Sequence, residues 1–204
     1  MTPTRAPVHA KGRAFPAATT VANDILSALL ATEYKRLLPR LEHVRLKRGV
    51  VTPDKAIVQL AGGAFRMKSK DLREEVRFGS PLQRLLIDYT RTFLAVLGQS
   101  VACSQHHSVD QRLARWLLTM SDYAGSREIQ MVQQSIAAVL GVRRASITVA
   151  AHTLQAESLI AYRRGRIGVL NKPALQKKAC ECYRFIRDQY RTLHAQLPRL
   201  LSPK

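Results

Sequence analysis

The residues best suited to chemistry in this chain are arranged for binding rather than for bond making. Between Gln133 and Leu159, the residues Ala137, Gly141 and Ile147 stand at the internal spacing of a helix-turn-helix. Ala137 is small where a second helix must cross closely. Gly141 stands where a tight turn needs positive φ, which only glycine adopts without steric cost. Ile147 then points back into an interhelical core with Ile136, Leu140 and Leu154. A second helix beginning near Arg143 would turn Ile147, Ala150, Ala151 and Leu154 inward. It would leave Arg144, Ala145, Thr148, Val149 and His152 outward. Arg144 can bond guanine O6 and N7 together, while Ala145 and Val149 can touch only thymine methyl groups. Leu159 to Leu170 reads as two short strands around the turn Arg163-Arg164-Gly165-Arg166. Three helices followed by a basic hairpin make a winged helix. On this reading Gln133, Arg143, Ser146, Arg163, Arg164 and Arg166 are placed for phosphates.

Other candidate groups carry less. His106 and His107 lie beside Asp110, but adjacent helical residues diverge by about 100° and rarely share a metal. They read as polar residues at a helix junction. Cys180 and Cys182, one residue apart on an expected helix, also diverge, and no metal site is expected from them. No P-loop, dinucleotide fingerprint or G-x-S-x-G element is present. No nucleophile is paired with a base, so an enzyme is not expected, nor is any cofactor.

Several elements must position the reading helix. Ser80-Pro81 opens a helix expected to run to about His107, with Leu82, Leu85, Leu86, Tyr89, Phe93, Leu94, Leu97 and Val101 on one broad stripe. A rod of about 42 Å with such a stripe needs a partner, and a symmetric homodimer through this helix is the expectation. After Ser108, a helix carries Leu113, Trp116, Leu117 and Met120 and ends near Gly125. A last amphipathic helix is expected from Pro173 to about Leu197. Upstream, Asn23 is a candidate cap for a helix with Ile25, Leu26, Leu29 and Leu30. Leu41 to Val51 and Ala56 to Leu60 read as short strands, Gly62-Gly63 as a turn, and Ser69 as the cap of a brief helix to Glu75.

The chain has 204 residues, 46% of them hydrophobic, enough to build a core and exclude a wholly disordered protein. Its 33 Lys and Arg against 14 Asp and Glu give a net charge of +19, divided almost evenly between the two halves. That excess asks for a polyanion, with nucleic acid ahead of an anionic membrane surface. No apolar run reaches the length of a membrane span. Three cysteines, Cys103, Cys180 and Cys182, make no disulfide framework, and a reduced cytoplasmic setting fits them. The basic, Pro- and Ala-rich residues 1–22 read as a flexible tail.

From Gln133-Gln134-Ser135-Ile136 through Gly141 to Thr148, then Leu159-Ile160 and the Tyr162–Arg166 hairpin, the sequence resembles the DNA-binding domain of Crp/Fnr transcriptional regulators. Ser108 to Leu118 is similar to that family's helix after the dimerisation helix. Ala179-Cys180-Glu181-Cys182-Tyr183 resembles the C-terminal helix of one subgroup. Asn23 to Val51 and Ala64 to Arg73 resemble the start and end of the family's β-roll, with room between Val51 and Ala64 for only about one or two strands. The family's Gly-Glu phosphate cassette and its four-cysteine iron–sulfur pattern have no counterpart. Arg144 matches the first Arg of the family's Arg-Glu-x-x-x-Arg reading triplet, but Ala145 and Val149 replace the other two.

The resemblance implies a mainly α protein with small β elements. A tail (1–22) leads into a truncated β-roll remnant (23–79), a long dimerisation helix (80–107) and a C-terminal winged helix-turn-helix (108–197). It implies a homodimeric, sequence-specific regulator on double-stranded DNA without cyclic-nucleotide sensing. RNA polymerase is a candidate further partner and the membrane is not one. The alternative that the charge favours is a non-specific, nucleoid-associated DNA binder.

Overall fold

A computed structural model of the chain describes residues 26, 29, 31–49, 57–77 and 79–200. They divide into two units, one of the described residues up to Ile87 with those from Gln196, the other of residues 88–195. The expected tail, and the expected cap at Asn23, lie outside the described residues. No helix among those described is long and apolar enough to cross a membrane.

In the first unit, helix α1 (Ala31–Leu37) runs into a 3-10 turn at Leu38–Arg40, where Pro39 removes a backbone donor. Strands β1 (Glu42–Leu46) and β2 (Gly62–Arg66) pair antiparallel, with Glu42 opposite Arg66. Those two side chains form an ion pair of 2.6 Å across the ladder. The Gly62-Gly63 pair is therefore strand and not the expected turn. The His43 ring lies over Gly63, and a Cβ there would come within 2.8 Å of His43 Nε2. The strand expected at Ala56–Leu60 reduces, among the described residues, to a single bridged position at Ile57. Beside it the Val58 carbonyl accepts from Gly49 N at 2.9 Å.

Helix α2 (Ser69–Glu75) has the expected span, but Lys68 occupies its cap position and Ser69 supplies no capping bond. Buried Glu75 receives Arg36 at 2.6 Å and Arg40 at 3.3 Å, which binds α1 and the 3-10 turn to α2. Two basic partners are what a buried carboxylate requires.

Helix α3 (Pro81–His106) opens as its sequence indicates, with Ser80 Oγ accepting from Gln83 N at 3.1 Å. The second unit, from residue 88 of that helix onward, is built round helix α4 (Val109–Ala124). Ser108 and Gln111 close a reciprocal capping box at its start, and Gly125 ends it in the left-handed region. Nine of its residues are buried, among them Leu113, Trp116, Leu117 and Leu118. It is surrounded by helices α6 (Arg144–Ala156) and α7 (Lys172–Lys178) and by strands β3 (Glu128–Gln130) and β5 (Arg166–Val169). With β4 (Ile160–Arg163), the strands form a three-stranded antiparallel sheet of order β3-β5-β4.

The expected single helix at Pro173–Leu197 is two. Helix α7 ends at Lys178, and helix α8 (Cys182–Leu200) starts after an extended Ala179. No glycine or proline marks the break; burial of both Cys180 and Cys182 overrides the local preference for helix. Cys180 thus lies outside a helix, and the expected divergence of the two thiols does not occur. Helices α7 and α8 are both held to α4 at Asp122, which accepts from Lys172 Nζ on α7 at 2.7 Å and from Tyr183 Oη on α8 at 2.8 Å. Burial, then the Asp122 hydrogen bond, raises the Tyr183 phenol above its ordinary range.

Helix α5 (Gln133–Leu140) ends at Gly141, whose φ of +63° is the left-handed value the sequence pattern demanded. A Cβ at this glycine would meet nothing within 4 Å, so its requirement is purely one of backbone conformation. Gly141→Ala should therefore lower stability by about 1–2 kcal/mol through strain alone. A lowered urea midpoint with unchanged slope would record this, and an unchanged midpoint would refute it.

Candidate nucleic-acid interface

The helix pair α5–α6 is fixed at its turn. Both Gly141 N and Val142 N donate to the Ala137 carbonyl, the latter at 3.0 Å. The buried Arg112 guanidinium donates to the Leu140 carbonyl, placing positive charge at the C-terminal end of α5, where the helix dipole favours it. Helix α6 begins at Arg144, with Arg143 in the cap position and no side chain capping it. Ser146 N and Ile147 N both donate to the Arg143 carbonyl, at 3.0 and 3.4 Å.

The expected two faces of α6 are present. Ile147, Ala150, Ala151 and Leu154 are buried, while Arg144, Ala145, Thr148, Val149 and His152 are exposed. Val149 is 66% exposed, a branched apolar side chain left in water on the same face as Arg144, Thr148 and His152. Gln133 and Thr148 are brought together, Thr148 Oγ1 donating to Gln133 Oε1 at 2.8 Å. That bond couples the first residue of α5 to the outer face of α6 and leaves the Gln133 amide N–H groups free to donate outward. Ser146 is half-buried and Arg143 exposed at the start of the same helix.

The basic hairpin is a two-residue turn between β4 and β5. Arg164 at φ 47° and Gly165 at φ 78° supply the paired positive φ values of a type I′ turn. Arg163 and Arg164 are exposed at its tip. Arg166 differs from them, because Nη1 lies 3.3 Å from Glu128 Oε1 on β3. The sequence reading grouped all three arginines and missed β3. The alternation Glu128, Ile129, Gln130, Met131, polar then apolar twice over, was the available signal. Ile129 and Met131 are buried as that alternation requires.

The arrangement is a helix with an exposed Arg-led face, supported by a second helix and flanked by a basic hairpin. Residues 111–178, which hold all of it, match the family model of the Crp-like helix-turn-helix domain. Among solved structures, the chain is similar to a crp/fnr family transcriptional regulator from Eubacterium rectale. The two share 15% identity over 73% of this chain and 94% of that one, with a TM-score of 0.53. A CRP family regulator from Thermus thermophilus shares 18% identity over 69% of this chain and 88% of the other, with a TM-score of 0.46. No curated protein matches the sequence. The chain therefore shares its fold with that crp/fnr family regulator, and its residues 111–178 match the Crp-like helix-turn-helix domain.

Proposed function

We propose that the protein is a sequence-specific, homodimeric regulator of transcription that reads double-stranded DNA with α6. The observation carrying this reading is the outward face of α6. Arg144, Thr148, Val149 and His152 are exposed on a helix whose other side is packed against α4, beside the exposed Arg163 and Arg164. Arg144 is the base reader, able to bond guanine O6 and N7 at once. Val149 supplies an apolar contact suited to a thymine methyl. Gln133, Arg143, Ser146, Arg163 and Arg164 meet phosphates. Arg166 contributes less, since binding a phosphate means sharing or losing Glu128.

The non-specific, nucleoid-associated alternative rests on the net charge of +19. The two readings part on Arg144. On the preferred site Arg144→Ala should cost about 1–3 kcal/mol, with little change on scrambled DNA. Arg163→Ala or Arg164→Ala should weaken both DNAs alike and flatten the slope of log affinity against log salt by about 0.9. A salt titration of each variant on both DNAs measures this. Equal losses for Arg144→Ala on the two DNAs would favour the non-specific binder.

The dimer is proposed to form along α3. Leu94, Leu97 and Val101 are about half exposed and recur at the three- and four-residue spacing of a helix–helix seam. An inverted-repeat site would then place half-site centres about 34–36 Å apart. Leu94→Glu combined with Leu97→Glu should give monomers in light scattering; a dimeric double variant would remove α3 from the interface.

Loss of cyclic-nucleotide sensing is proposed from the sequence between Val51 and Ala64, which has no Gly-Glu cassette to seat a cyclic phosphate. Calorimetry with millimolar cyclic AMP should show no heat of binding, and micromolar binding would overturn this point.

A further inference from the structure

Four side chains outside the recognition helix and the hairpin converge on one point. Cys103 and His107 lie one turn apart at the end of α3, where His107 N still donates to the Cys103 carbonyl at 3.2 Å. Cys180 lies in the break between α7 and α8, and Cys182 is the first residue of α8. The three sulfurs and one imidazole nitrogen all lie within 4.8 Å of one another, with the cysteines buried and His107 nearly so. We infer that Cys103, His107, Cys180 and Cys182 form a structural zinc site.

Two of the ligand separations match that ion, and the whole set lies within 4.8 Å. Tetrahedral zinc, with bonds of about 2.3 Å to sulfur and about 2.0–2.1 Å to nitrogen, separates its ligands by about 3.8 Å for two sulfurs and about 3.6 Å for sulfur and nitrogen. Cys103 Sγ and Cys180 Sγ are 3.6 Å apart, and Cys182 Sγ and His107 Nδ1 are 3.5 Å apart. A disulfide would need about 2.05 Å between sulfurs, so the cysteines stand apart as thiols. The surroundings are those of ligands rather than of core filling. His107 Nε2 lies 3.0 Å from Glu181 Oε1, and a proton held there leaves the Nδ1 lone pair facing the sulfurs. A carboxylate on the far nitrogen of a metal-bound imidazole is a recurrent way of fixing both tautomer and ring orientation. Gln99 Nε2 donates to Cys182 Sγ at 3.0 Å, a bond that favours a thiolate.

Charge also closes. Zinc binding converts three thiols and a neutral imidazole into a complex of charge −1 and releases three protons to solvent, with no change of oxidation state. Burial pushes the Cys103 thiol up, and the positive charge of buried Arg115 opposes that shift. The ion would fasten the α7–α8 break to the end of α3, two segments that no hydrogen-bonded ladder joins among the described residues.

The test uses the full chain, reduced and stripped of metal with a chelator, and probes it with zinc and with cobalt(II). One equivalent of cobalt should bind with the intense visible bands of tetrahedral geometry and a thiolate charge-transfer band. One equivalent of zinc should displace it and raise the melting temperature. Cys180→Ser should abolish the tetrahedral spectrum. Glu181→Gln should keep the spectrum but weaken zinc binding about tenfold to a hundredfold. No metal uptake by the reduced wild type, an octahedral spectrum, uptake indifferent to Cys180→Ser, or iron with acid-labile sulfide would each overturn the site. Should Cys180→Ser fail to fold, the wild-type cobalt spectrum and stoichiometry decide alone.

Discussion

Burial of α4 on nearly every side is the constraint on which the second unit depends. Leu113, Leu117 and Leu118 are fully buried, each contributing about 1.5–3 kcal/mol relative to exposure, and Trp116 and Met120 join them. A helix apolar on one stripe needs one partner layer; this one needs several. α6, α7, β3 and β5 supply them, so α6 and the hairpin are referred to a common axis. A strong polar tie in that core is Arg112 to the Leu140 carbonyl, at the turn where the helix pair must hold its angle.

Electrostatics sort the basic residues into two populations. Arg36, Arg40, Arg66 and Arg166 face carboxylates and are largely answered within the protein. With 33 cations and 14 carboxylates, most of the remainder have no acidic counterpart to meet, and the surplus is available to a polyanion. The proposed DNA face draws on the second population at Arg143, Arg144, Arg163 and Arg164. Charge of this kind sets affinity and encounter rate. Discrimination rests on the few side chains that can reach base edges.

Much of this was legible in the residues because local signals and tertiary demands agreed. Ala137, Gly141 and Ile147 specified the helix pair, Ser80-Pro81 and Ser108 specified two helix starts, and Gly165 specified the hairpin. The illegible parts are those where a distant partner decides. Gly62-Gly63 looks like a turn until the His43 ring is known to lie over it. The break at Ala179–Glu181 has no breaker residue, since buried contacts and not propensity end α7 there. Cys180-x-Cys182 conveyed little because its complement, Cys103 with His107, is more than seventy residues away in the chain. Spacing along a sequence reports ligands on one segment; it is silent about ligands that only folding assembles.

The hairpin shows how its own flexibility has been removed. Its tip is a two-residue turn, its middle strand β5 is paired on both edges, and Met131 N donates to the Gly165 carbonyl at 2.8 Å. A Cβ at Gly165 would stand 3.4 Å from Val132, so the turn also rests against its neighbour. Ordering a loop residue costs about 1–2 kcal/mol of backbone entropy. Pairing and packing of this kind place that cost on folding rather than on an encounter with a ligand. Arg163 and Arg164 thus present their charges from a backbone already frozen. Any entropy they surrendered to a polyanion would fall mainly on side-chain torsions, so the segment is built as a rigid lever rather than a grasping arm.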